Sequence, residues 1–169
     1  MKYNKEVIEF FKKHNMYDIN VFDYLQANSN MIDYQFPEER CLIGCIYIQD
    51  KNGILKRLII NIPYVYDEET MLINIHEITH GIENYFKLGK KFQKDITIET
   101  LPMLFEKIYI LEHPSEKLEK YANYLDELAA SNDKEYGFAL KVRNELLAAY
   151  NGDLKKTKRL IKKLKRKYS

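Results

Sequence analysis

Between Asp67 and Gly89 the apolar residues recur at helical spacing, and this is the feature that most constrains the fold. At about 100° per residue, Met71, Leu72, Ile75, Ile78, Ile82 and Phe86 share one arc, with His76, Glu77, His80 and Asn84 opposite. Asp67 suits an N-cap, Glu68 and Glu69 suit the positive end of the helix dipole, and Gly89 marks a stop, so the spacing predicts a helix of about twenty residues. Its apolar arc requires a layer to cover it, and its histidines are expected to face away from that layer, toward a cleft.

The layer is predicted just upstream. Cys41 to Gln49 and Ile54 to Ile62 are rich in Ile, Leu, Cys and Tyr, and Asp50-Lys51-Asn52-Gly53 lies between them. An Asn-Gly pair tolerates the positive φ of tight turns, so a β-hairpin is expected. Before it, Val7, Ile8 and Phe11, then Val21, Tyr24 and Leu25, give two short helices over Asn4 to Lys13 and Asn20 to Ala27. After it, Ile96 to Leu111, Ser115 to Ala130, Asp133 to Tyr150 and the segment from Leu154 onward read as helices. The expected fold class is therefore α+β, a small hairpin-containing sheet packed on a predominantly helical body. With 169 residues, 46% of them hydrophobic, one domain is expected over 1–153.

Nine of the 27 Lys and Arg residues follow Asp153 and no acidic residue does, leaving 18 basic against 25 acidic side chains, a net −7, in the rest of the chain. Residues 154–169 are expected to form a basic amphipathic helix. It either docks on an acidic body or contacts nucleic acid or another acidic surface. Met1 to Asn20 lacks an apolar core region, and no stretch approaches the roughly 18 apolar residues of a membrane span. With Cys41 and Cys45 too few for a disulfide framework and expected as reduced, buried thiols, a cytoplasmic location follows as an expectation.

Two imidazoles at i and i+4 on one helix can bind a single zinc ion, and His76 and His80 have that spacing. Glu77 is placed to take a proton from a zinc-activated water without ligating the metal. A catalytic zinc needs a third protein ligand, for which the choice is Glu99, nineteen residues after His80 on the next predicted helix. Glu106, seven residues further, is placed to accept a hydrogen bond from a ligating histidine. Peptide hydrolysis further requires an oxyanion donor, offered by His113, Tyr121, Tyr124, Tyr136 and Tyr150. Tyr136, beside Gly137 in a helix opening, is preferred and His113 comes second. Gly81 suggests close packing near the metal, since Gly costs about 1 kcal/mol in a helix relative to Ala. Arg57 to Ile62 is placed to serve as an edge strand that adds extended substrate.

An HExxH helix followed at this distance by a helix-borne Glu resembles the gluzincin metallopeptidases. Glu99, Pro102 and Glu106 are similar to the corresponding run of the thimet oligopeptidase and oligoendopeptidase family, over Asp67 to about Lys107. Pro102 departs from that pattern by one place, and inside a helix it is expected to introduce a kink. The resemblance implies a zincin-like domain with one Zn2+ held by His76, His80 and Glu99, Glu77 as general base, and a peptide or protein substrate. A rival expectation is a zinc-binding regulatory protein that contacts nucleic acid through residues 154–169. A third combines the two, a processing enzyme brought to a nucleic-acid-bound substrate by that segment.

Overall fold

A computed structural model describes residues 3–32, 43–132 and 134–168. The chain divides into two compact units, Met1–Lys94 and Asp95–Ser169. The sheet lies in the first, and the described residues of the second are helices and their connections, so the fold class is α+β.

The first unit opens with α1 (Lys5–Lys13) and α2 (Ile19–Asn28). Each begins on a side-chain cap: Asn4 accepts from the Glu6 amide at 2.8 Å, and Asp18 from the Asn20 amide at 2.8 Å. These oxygens satisfy amides that the helix itself leaves without acceptors. Between the helices Asn15 takes φ 57°, a left-handed conformation that Asn tolerates better than most residues. Phe10, Phe11, Phe22 and Tyr3 form a buried cluster of edge-to-face and tilted rings, with Tyr3 and Phe22 centroids 5.6 Å apart.

Strand β1 (Ser29–Ile32) follows α2 without a break. It pairs parallel with β3 (Leu55–Pro63), Ser29 opposite Ile60, and β2 (Gly44–Gln49) pairs antiparallel on the other side of β3, Gly44 opposite Asn61. The hairpin is as expected, and Cys41 lies outside the described residues. Its turn is looser than the Asn-Gly pair suggests. Asp50 accepts from the Asn52 and Ile54 amides at 2.9 and 3.0 Å, and Gly53 takes the positive φ, at 76°.

The strand order β1-β3-β2 overturns the expectation for Arg57 to Ile62. β3 is central: β2 runs along one side of it, and on the other β1 pairs with Ile60–Pro63 while α2 meets the part before, where the Leu58 amide donates to the Tyr24 hydroxyl at 3.1 Å, so Arg57 to Ile62 is not a free edge. The short β1, which parallel pairing places beside β3, carries too few residues to announce itself in the sequence.

Helix α3 (Glu68–Tyr85) lies on β3. Asp67 caps it in a capping box, accepting from the Thr70 amide at 2.9 Å while the Thr70 hydroxyl reaches the Asp67 amide at 3.2 Å. The helix ends before Gly89, because Lys87 and Leu88 bond three residues back in tight turns. Gly89, at φ 78°, then donates to the Leu55 carbonyl at 2.9 Å, returning the chain to the hairpin.

In the second unit α4 (Thr100–Glu112) is buried along most of its length and packs on α6 (Lys134–Ala149). It begins four residues later than expected. Pro102 therefore falls in its first turn, where the missing amide breaks no intrahelical bond, and the expected kink has no cause. α5 (Glu116–Asn132) joins α6 through Arg143 and Asp126, with a bond of 2.8 Å from Nη1 to Oδ1. α7 (Leu154–Tyr168) buries Thr157, Ile161 and Leu164, and its Lys165 and Lys167 pair with Asp95 and Glu145. Docking on its own unit thus accounts for one side of the basic helix.

Candidate metal centre

The polar arc of α3 is not a surface. His76 and His80 are 7% and 5% exposed and Asn84 1%, so the helix is covered nearly all round. The apolar arc is packed as the period predicts, with Ile75 and Ile78 fully buried. The histidines do lie opposite the apolar arc, but out of solvent, and a buried imidazole needs a partner for its nitrogens.

One such contact joins the two rings. Nε2 of His80 stands 3.1 Å from Nε2 of His76, and the rings meet edge to face with centroids 4.9 Å apart. Two neutral imidazoles meet in this way when one donates N–H to the other. Two that carry their protons on Nδ1 instead aim both lone pairs at one point. A tetrahedral ion with bonds of about 2.0–2.1 Å sets its ligand nitrogens roughly 3.3 Å apart, and the observed 3.1 Å fits that edge. The separation of the pair is thus compatible with two ligands of one ion.

The support around the pair belongs to the fold. Asn84 donates to the His80 carbonyl at 2.9 Å and faces the Tyr47 hydroxyl on β2 at 3.4 Å. Asn74, 1% exposed, donates to the Pro63 carbonyl at 3.1 Å and to the Thr70 carbonyl at 2.8 Å, tying α3 to the end of β3. Sequence reasoning missed Asn74; its one signal was a polar residue one position before the apolar Ile75. Glu77 is half-buried, and its charge is felt by Cys45 on β2. Burial, and then the Glu77 charge, push the free Cys45 thiol up to about 12, so it is held as a thiol rather than a thiolate.

Gly81 packs away from the histidines. A Cβ there would stand 2.5 Å from Ile60 Cδ1 and 3.0 Å from Leu25 Cδ2, so the residue is Gly because β3 and α2 approach it. The close packing expected at Gly81 is there, and it is made by β3 and α2.

Glu99, Glu106, His113 and Tyr136 belong to the second unit. Glu99 is half-buried at the N-cap of α4, in helical conformation, and its carbonyl accepts the first intrahelical bond from Met103 at 3.1 Å. Glu106 stands on the same helix two turns on, and its charge, with that of Asp126, favours the Arg143 guanidinium. His113 closes α4, with Nδ1 3.1 Å from the Tyr109 carbonyl and its ring stacked on Tyr109 at 4.3 Å. Tyr136 is half-buried in the first turn of α6.

No family model matches the chain, and neither does any curated protein or any solved structure. No helix among the described residues is long and apolar enough to cross a membrane.

Proposed function

We propose that the protein is a zinc-dependent metallopeptidase of the gluzincin type. The observation that carries this reading is the His76 and His80 pair, buried on one face of α3 with Nε2 atoms 3.1 Å apart and Glu77 between them in sequence. His76 and His80 hold the ion through Nε2, and Glu99, by its spacing and helix position, is the third ligand.

Bound zinc supplies a Lewis acid, which polarises a carbonyl oxygen and makes water acidic near neutral pH. The chain's own residues do the rest. Glu77 takes a proton from the attacking water as the carbonyl carbon becomes tetrahedral, and returns it to the leaving amine. Its half-buried position holds the carboxylate apart from bulk solvent. Tyr136 is the residue proposed to donate to the developing oxyanion, because the His113 ring already stacks on Tyr109. Glu106 orients a ligating imidazole.

The test is elemental analysis of wild type, Glu77→Gln, His80→Ala and Glu99→Gln, each assayed on quenched-fluorescent peptide mixtures with and without chelator. The expected pattern is one zinc and chelator-sensitive cleavage in wild type, zinc without cleavage in Glu77→Gln, and loss of both in His80→Ala and Glu99→Gln. Wild type without zinc, or zinc-loaded protein inert on every peptide, overturns the proposal.

A further inference from the structure

Helix α7 has three sides, and two of them are spoken for. Thr157, Ile161 and Leu164 are buried. On one flank Lys165 bonds Asp95, and on the other Lys156 lies 3.7 Å from Asp153 and Lys167 3.5 Å from Glu145. Tyr168 is covered by Lys141 and Lys167, at 4.3 and 4.8 Å from its centroid. What remains is an arc of about 100° made of Lys155, Arg159, Lys162, Lys163 and Arg166, all exposed. No acidic, apolar or aromatic side chain interrupts it.

This arc works against the helix that carries it. Lys155 and Arg159, Arg159 and Lys163, and Lys162 and Arg166 are like charges at i and i+4, which repel. Lys155 and Lys156 also occupy the first turn, where the dipole disfavours cations, and Asp153 just before the helix, which accepts from the Lys156 amide at 3.0 Å, offsets this only in part. A helix selected only to cover its unit gains nothing from this arrangement. A polyanion running along the arc removes the repulsion.

The choice of polyanion follows from the buried side. A helix that lies on a membrane buries its apolar face among lipid chains, whereas here Ile161 and Leu164 already face protein. The exposed arc offers only point charges and two guanidinium forks, the chemistry of phosphodiester contacts. The axis of α7, about 22 Å long, spans roughly six base pairs of duplex. We infer that the outward face of α7 binds the phosphate backbone of a nucleic acid without regard to base sequence. This is independent of the zinc site and concerns none of its residues.

The experiment is fluorescence anisotropy of the full chain with labelled DNA and RNA duplexes of about 20 base pairs and scrambled sequence, as a function of KCl, beside flotation with phosphatidylserine vesicles. With about five phosphate contacts, the slope of log K against log salt is near −4.5, a several-hundred-fold weakening between about 50 and 200 mM. Each single substitution to Gln in the arc lowers that slope by about one, and Lys162→Arg leaves it unchanged. The variant carrying all five substitutions binds neither duplex while keeping the wild-type circular dichroism spectrum, and Lys12→Gln with Lys13→Gln on α1 binds as wild type. Glu77→Gln also binds as wild type, which separates this inference from the peptidase reading. Binding to the vesicles alone, no binding to either duplex at low salt, or equal loss in the α1 control overturns it.

Discussion

Replacing Gly81 by alanine tests the packing account of that glycine, because helix propensity and close approach predict opposite signs. In an exposed helix the change gains about 1 kcal/mol from helix propensity. Here the new Cβ meets Ile60 Cδ1 at 2.5 Å and Leu25 Cδ2 at 3.0 Å, and both neighbours are 0% exposed, so neither can swing into solvent. Overpacking a closed core costs about 1–3 kcal/mol. A contact this short belongs to the upper part of that range, which leaves a net loss of about 1–2 kcal/mol after the propensity gain. For a chain of this length that lowers the melting temperature by about 2–8 °C. The assay is thermal and urea unfolding followed by circular dichroism, with chelator present so that zinc linkage does not enter, beside zinc content of the untreated variant. A variant as stable as wild type refutes the packing argument, and one that loses zinc at unchanged stability places Gly81 with the metal after all.

Asp67→Ala removes the capping box of α3 and is expected to lower stability by about 1 kcal/mol, read as a shift of the urea midpoint at constant slope. Asp95 gives a pH signature. Burial acts to raise its carboxyl, but hydrogen bonds from Lys165 and Thr97 outweigh that and hold it below the usual carboxylate value. A depressed carboxyl stabilises the fold above its unfolded value, about 3.9, and that contribution is lost as pH falls through the folded value. With Lys165 and Asp95 both about two-fifths exposed, Asp95→Asn costs under about 1 kcal/mol at pH 7. The difference from wild type disappears in melts near pH 2–3; a constant difference across that range shows that the pair is not its source.

The sequence by itself determined the local elements, because their causes are local. Asp67 with Thr70, the i, i+4 histidines, the Asp50 to Gly53 turn and the apolar periods of α5, α6 and α7 act within a few residues, and each element forms near its expected place. Strand order was not local. β1 and β3 pair in parallel through residues some thirty positions apart, and the Leu58 amide meets Tyr24 of α2, so only the tertiary structure made β3 central and covered its far side. Burial was not local either. One helical period fits a polar face open to water or one covered by protein, and only the fold put His76 and His80 out of solvent with their Nε2 atoms 3.1 Å apart. The same holds for α7: its charge was plain in the sequence, but ion pairs with Asp95 and Glu145, distant along the chain, decided which cations were engaged and left five pointing outward.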